Sequence, residues 1–117
     1  MDATNDLRML VEMFNACEGL RKCDVHPGDW IVVKTRNSVY TIYVVGDGVY
    51  TVSGGWFDRQ GSTPATTTIH GCTWGGRVIH TGLLAARGLC LEFGNDVMTT
   101  RIQEVQLIRP QETHCPN

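Results

Sequence analysis

The stretch HGCTWGGRVIH, residues 70–80, carries side chains that can bind a metal ion, arranged around a glycine-rich turn. His70 and Cys72 are two residues apart, so on a strand they point to the same face. A three-residue loop over 74–76 would place His70 opposite His80, with their Cβ atoms about 5 Å apart. The three side chains would then be within reach of a shared Zn²⁺ or copper ion.

This metal hypothesis depends on the length of the loop. A loop of two residues shifts the register by one and moves His80 to the other face of the hairpin. The sequence of residues 70–80 also fits a plain glycine hairpin whose polar groups face solvent, and we favour that interpretation. We therefore expect no cofactor and no bound metal, and retain His70, Cys72 and His80 as the metal candidates.

Cys72 is also a candidate nucleophile, with His70 or His80 as its base. No carboxylate that could orient the histidine is recognisable nearby, and a cysteine on a strand usually packs as a small apolar side chain. The chain carries no G-x-S-x-G, H-E-x-x-H, Walker or Rossmann glycine pattern. A thiol- or metal-dependent enzyme is therefore an alternative and not the first hypothesis.

A second candidate site lies in KTRNSVY, where Arg36, Asn37 and Ser38 place a guanidinium, an amide and a hydroxyl at one hairpin tip. Such a tip can grip a carboxylate or a phosphate. It also fits ordinary turn chemistry, which we favour, because asparagine accepts positive φ and serine bonds the backbone. Other arginines are scattered among acids, and they indicate either a groove for an anionic ligand or a solvated surface of mixed charge. We favour the solvated surface. These arginines are Arg59, Arg77, Arg87 and Arg101.

Two tryptophans lie beside glycine pairs, Trp56 after Gly54-Gly55 and Trp74 before Gly75-Gly76. Large aromatic side chains on such loops can form a stacking or interface surface, and they can equally cover the ends of a small barrel. Both interpretations remain open. The residues predicted to bind a ligand or partner are Arg36, Asn37, Ser38, Trp56, Trp74, Arg77 and His80.

The elements that must position these residues are mostly short strands. WIVVKT (30–35), SVYTIYVV (38–45) and LCLEF (89–93) are rich in residues that favour strands. Asp47-Gly48 is a strong two-residue hairpin signal. In SVYTIYVV the alternation puts Tyr40, Ile42 and Val44 on one face.

The last strand changes the phase of its alternation between Ile102 and Val105, which predicts a bulge. Several short strands with tight turns and no βαβ rhythm predict a mainly β fold. The expected architecture is a small antiparallel β-barrel, SH3-like or a similar meander, over 27–108. We expect a single domain, 1–117, with a frayed tail over 109–117.

The first segment predicts an amphipathic α-helix over 5–18. Thr4 or Asn5 can cap its first turn, and Gly19 can end it. An apolar stripe recurs at helical spacing on Leu7, Leu10, Val11, Phe14 and Cys17. Such a stripe must be buried, either on one end of the barrel or against a second copy of the chain. We favour the second copy and expect a homodimer about a two-fold axis.

Bulk properties exclude some classes of function. The formal net charge of −2 gives no basic excess to attract nucleic acid over a distance. The sequence shows neither a signal peptide nor a run of about 18 apolar residues, so we expect no membrane segment and a bacterial, cytoplasmic setting. The five cysteines show no C-x-x-C spacing and are expected to be free thiols.

Three motifs together, VKTRNSVYTIYVV, GCTWGG and TTRIQEV, resemble a group of small bacterial proteins. That group shares a TRNS-x-Y hairpin, a later G-[SC]-T-x-G-G turn and a closing T-[TS]-x-[IV] strand. The resemblance covers roughly 27–108 and leaves out the N-terminal segment and the tail. It implies a small β-barrel fold and assigns no activity.

The leading functional hypothesis is a non-enzymatic binding or protein-interaction module. Its expected partner is an unknown protein or a small anionic ligand. The first alternative is the metal- or thiol-dependent enzyme centred on Cys72 with His70 and His80. A further alternative is a weak single-stranded nucleic-acid binder, because small barrels with aromatic loops can stack bases.

Overall fold

A computed structural model describes residues 9–13, 19–61, 63–75 and 78–110. Within these ranges the chain is mainly β, with a single turn of 3-10 helix at Lys22–Asp24 and one short α-helix, α1, at Gly55–Arg59. The strands are β1 (Met9–Met13), β2 (Leu20–Arg21), β3 (Trp30–Thr35), β4 (Val39–Gly46), β5 (Val49–Gly54), β6 (Ala65–Thr67), β7 (Ile69–Thr73), β8 (Ile79–His80), β9 (Leu83–Ala85), β10 (Cys90–Phe93) and β11 (Met98–Pro110).

The strands form two antiparallel sheets. The larger sheet has the order β6-β5-β4-β3-β11-β10-β7-β8, and β1 adds to β11 beside this path. The smaller sheet pairs β2 with β9. Strand β11 is long enough to pair with β3, with β10 through its first half and with β1 through its second half.

The predicted closure of the sheet into a barrel is wrong. In the described part of the chain, β6 and β8 end the strand order and do not pair with each other. The short β7–β8 hairpin explains the open edge of the sheet, since β8 contains only Ile79 and His80. After β8 the chain leaves the large sheet, and Leu83–Ala85 pairs with β2. The mainly β, antiparallel architecture itself is confirmed.

The core lies on one face of the large sheet. The alternation in β3 and β4 buries Ile31, Val33, Tyr40, Ile42 and Val44 as their period of two predicts. The smaller sheet contributes Leu20, Leu84 and Ala85 to the same core. In α1, Phe57 is fully buried and makes edge-to-face contacts with Tyr40 and Phe93.

Two local predictions are confirmed. Asp47 and Gly48 form the two-residue connection between β4 and β5, with φ values of 56° and 78°. Such a pair of positive φ angles matches the twist of a hairpin. The register of β11 against β3 shifts between Ile102 and Glu104, so the bulge predicted from the change of phase is present.

The predicted N-terminal helix is wrong where the structure describes it. Residues 9–13 form β1, which pairs with β11 in the register Met9↔Pro110 to Met13↔Gln106. A helix of this length is marginal on its own, and β11 presents free backbone groups along its second half. Pairing of β1 with β11 satisfies the backbone hydrogen-bonding groups of both strands. The other parts of the prediction, 5–8 and 14–18, lie outside the described residues.

The predicted frayed tail also begins too early, because β11 continues through Arg109 and Pro110. The rest of that prediction, 111–117, lies outside the described residues. No helix in the described part of the chain is long and apolar enough to cross a membrane.

Candidate functional site

The hairpin that carries the predicted metal ligands has a longer loop than the metal hypothesis requires. Cys72 pairs with His80 and Thr73 with Ile79, so the connection spans 74–78. His80 therefore lies opposite Cys72 and not opposite His70. In addition, the Cys72 side chain is fully buried while His80 is exposed.

The structure does not bring His70, Cys72 and His80 together as one cluster. Among the described residues, the cluster of possible metal ligands that contains His70 is completed by Glu92 and Asp96. The Cys72 thiol points into the core, where its Sγ lies 3.6 Å from the carbonyl oxygen of Leu84. Burial raises the pKa of this thiol to about 12. It is therefore protonated near neutral pH and lacks the thiolate that a nucleophile needs.

The hairpin tip predicted to grip an anion lines a pocket of about 550 Å³. Arg36 and Asn37 form one wall of it, and β11 with β10 forms the other. The lining residues are Arg36, Asn37, Cys90, Thr100, Arg101 and Gln103. The pocket therefore has two guanidinium groups and no carboxylate among its lining residues.

The β3–β4 turn is held in place by local hydrogen bonds. The Oγ1 atom of the buried Thr35 accepts from the backbone N–H of Ser38 at 3.1 Å and donates to the Ser38 carbonyl at 3.1 Å. The backbone N–H of Arg36 donates to the carbonyl of Arg101 at 3.3 Å. This hydrogen bond connects the tip of the β3–β4 hairpin to β11 at Arg101, which carries the second guanidinium of the pocket. Gln103 lies in the β11 bulge and completes that wall.

Arg101 is positioned by contacts with backbone carbonyls and an indole ring. Its Nη1 donates to the Gly88 carbonyl at 2.9 Å, and its Nη2 donates to the Trp74 carbonyl at 2.8 Å. The guanidinium carbon lies 5.7 Å from the centroid of the Trp74 ring, within the range of a cation–π contact. These contacts restrict the side chain without neutralising its charge.

Among the residues that the structure describes, no acid forms an ion pair with either arginine of the pocket. The ion pairs found in the described part of the chain are His26–Asp29, His70–Glu92 and Arg109–Asp29, and none includes Arg36 or Arg101. A guanidinium carries five N–H donors, and Arg101 uses two of them in the hydrogen bonds above. Within the described part of the chain, both arginines therefore retain donors and charge for an anion.

The remaining predicted binding residues lie in different places. Ser38 Oγ accepts from Nη1 of Arg59 at 3.4 Å, outside the pocket lining. Trp56 packs edge-to-face on Phe57, with ring centroids 5.3 Å apart, so it belongs to the core edge. Trp74 is 65% exposed beside Arg101.

His80 lines a different pocket, together with Lys22 and Cys23. Arg77 lies outside the described residues. The predicted set thus divides, and only Arg36 and Asn37 line the pocket that also contains Arg101.

Sequence reasoning named Arg101 only as one of several scattered arginines, and it missed Cys90, Thr100 and Gln103. The available signal was the phase change in β11, because a bulge re-aims neighbouring side chains. That signal does not reveal which strand lies beside β11. The pairing Cys90↔Arg101 is a tertiary contact between residues that the sequence separates.

A scan of protein-family models and searches of curated proteins and of solved structures gave no match to this chain. The resemblance based on the three short motifs therefore stays a prediction.

Proposed function

We propose that the protein is a non-enzymatic binding module that takes a small anionic ligand in the pocket between Arg36 and Arg101. The observation that supports this proposal is that Arg36 and Arg101 line one pocket and that neither forms an ion pair with a carboxylate of the described residues. Guanidinium groups bind carboxylates and phosphates through paired N–H donors in a planar fork. The preferred ligand therefore carries a phosphate or carboxylate group.

The polar neighbours of the two arginines suit an oxyanion. Asn37, Thr100 and Gln103 are exposed and line the same pocket, and each carries a neutral hydrogen-bond donor. Neutral donors add hydrogen bonds to an anion without adding charge, which favours a ligand with several oxygen atoms. The exposed face of Trp74 beside Arg101 offers a surface for an apolar or planar part of the ligand.

Binding fits this pocket better than catalysis. Its lining residues include no histidine and no carboxylate, so none of them is an ordinary general base. Cys90 also lines the pocket and is only 8% exposed. The enzyme alternative centred on Cys72 is disfavoured because that thiol is buried and protonated near neutral pH.

Isothermal titration calorimetry with inorganic pyrophosphate and with citrate, at low salt, tests the proposal. At least one of the two anions should bind, and Arg36→Gln should weaken its binding about tenfold or more, which corresponds to about 1.4 kcal/mol. Arg36 is suited to this test because no hydrogen bond of its side chain within the described residues holds the fold.

Arg21→Gln is the matched control, because Arg21 is also exposed but lines a different pocket. It should leave anion affinity unchanged. Equal affinities of Arg36→Gln and Arg21→Gln, or the absence of binding by both anions, would contradict the proposal. Tighter binding of single-stranded DNA than of either anion would favour the nucleic-acid alternative.

A further inference from the structure

A second cluster, separate from the anion pocket, brings together one histidine and two carboxylates from three parts of the chain. His70 lies on β7, Glu92 lies on β10, and Asp96 lies in the turn that leads to β11. Their possible ligand atoms all lie within 4.8 Å of one another. His70 Nδ1 and Glu92 Oε2 are 2.8 Å apart.

An irregularity in the sheet creates this arrangement. In the β7–β10 ladder, Gly71 pairs with Glu92 and Ile69 with Phe93, so His70 is the extra residue of a bulge. A bulge changes the direction of a side chain relative to a regular strand. Gly71 permits this backbone, because its φ is 147° and a Cβ atom there would collide with the carbonyl oxygen of His80.

The turn after β10 brings in the third group. Asp96 has a φ of 68°, and its backbone N–H donates to the carbonyl of Phe93 at 2.9 Å. This turn directs the chain back into β11 and leaves the Asp96 carboxylate beside Glu92 and His70. The side chain of Asp96 is exposed, so it can adjust its position to a ligand.

The charge of the cluster favours a cation. Two carboxylates held this close repel each other, and no lysine or arginine of the described residues forms an ion pair with Glu92 or Asp96. The nearby Lys22 ammonium donates instead to the backbone carbonyl of His70 at 3.2 Å. A divalent ion would offset both negative charges.

We propose that His70, Glu92 and Asp96 form a binding site for a divalent transition-metal ion of the Zn²⁺ type. Ligand atoms in neighbouring positions about 2.1 Å from Zn²⁺ lie about 3 to 3.5 Å apart, and the separation between His70 Nδ1 and Glu92 Oε2 is already close to that range. An imidazole nitrogen favours such an ion over Ca²⁺ or Mg²⁺, which prefer oxygen ligands alone. Water would fill the remaining coordination positions.

Calorimetric titration of the full chain with Zn²⁺, in a reducing buffer without chelating agents, tests this site. The wild-type protein should bind one ion at the cluster, and Asp96→Asn and His70→Gln should each weaken that binding about tenfold or more, as expected when one of three protein ligands is lost. Asp96→Asn should fold normally, because the position is exposed and asparagine tolerates positive φ. The matched control is His80→Gln, an exposed histidine outside the cluster, and it should bind Zn²⁺ as the wild type does.

Binding of Co²⁺ provides a second readout that distinguishes this site from the cysteines. Nitrogen and oxygen ligands should give weak visible bands without the strong near-ultraviolet charge-transfer band of a thiolate ligand. The proposal is overturned if Asp96→Asn binds Zn²⁺ as tightly as the wild type, or if no ion binds. It is also overturned if Co²⁺ binding shows a thiolate band that is lost in Cys23→Ser, since Cys23 is an exposed free thiol.

Discussion

Loss of the buried carboxylate of Asp29 should destabilise the fold strongly. Asp29 is 3% exposed and precedes β3. Its Oδ2 atom accepts from the backbone N–H of His26 at 2.9 Å and from Nη2 of Arg109 at 3.2 Å. Arg109 Nε lies 3.3 Å from the same oxygen, and its Nη2 also donates to the carbonyl of Asp24 at 2.9 Å. The carboxylate thus joins the start of β3 to the end of β11.

Asp29→Asn tests this role because it removes the charge at nearly constant volume. A hydrogen bond to a charged group contributes about 1.5–3 kcal/mol, and asparagine can keep one acceptor contact. The free energy of unfolding should therefore fall by about 2–4 kcal/mol, a large part of the roughly 5–15 kcal/mol expected for a domain. With a urea m-value of about 2 kcal/mol/M, the unfolding midpoint should fall by about 1–2 M.

Urea unfolding followed by tryptophan fluorescence measures this change, because Trp30 adjoins Asp29 in the chain. Asp47→Asn is the matched control, since Asp47 is exposed in the β4–β5 turn and should change stability by less than about 0.5 kcal/mol. Arg109→Gln should also destabilise the protein, and the double variant should lose less than the sum of the two single losses. If Asp29→Asn and Asp47→Asn unfold at the same urea concentration, the reasoning from the buried carboxylate and its ion pair with Arg109 is refuted.

Two further predictions concern β7. Gly71→Ala should destabilise the fold by about 1–3 kcal/mol in a thermal unfolding assay, because the new Cβ would collide with the carbonyl oxygen of His80 at a backbone angle that favours glycine. The control Gly82→Ala should be nearly neutral in the same assay, because there is open space around Gly82. Equal losses of stability in the two variants would refute the steric argument. Burial raises the pKa of the Cys72 thiol from 9.0 to about 12, so its contribution to stability is complete below about pH 9 and is lost as pH rises from 9 towards 12. Stability measured across that interval should fall by up to about 1.4 kcal/mol per pH unit more in the wild type than in Cys72→Ala, and parallel curves would show that the thiol makes no such contribution.

The strands and tight turns of this fold could be predicted from the sequence because their causes are local. The alternation of Tyr40, Ile42 and Val44 determines which face of β4 is buried, whatever that face packs against. Asp47-Gly48 accepts the positive φ angles of a tight hairpin without help from distant residues. The bulge in β11 could be predicted for the same reason, since a shift of phase in a strand is visible in the order of its residues.

The N-terminal segment shows where local patterns mislead. An apolar stripe at helical spacing predicts a helix, yet residues 9–13 form a strand because the second half of β11 offers them backbone partners. The sequence does not show that this edge of β11 is free to pair with another strand. Barrel closure depended in the same way on whether the chain after β8 continued the sheet or paired with β2.

The candidate sites also depend partly on local sequence and partly on contacts between distant segments. The sequence by itself determined that Arg36 and Asn37 share a hairpin tip, because two adjacent residues in a tight turn cannot separate. Only the tertiary structure decided that Arg101 lies across from them and that His70 meets Glu92 and Asp96 instead of Cys72 and His80. The physical reason is that strand register and strand order depend on packing and hydrogen bonding between distant segments, and a shift of one residue turns a side chain to the opposite face.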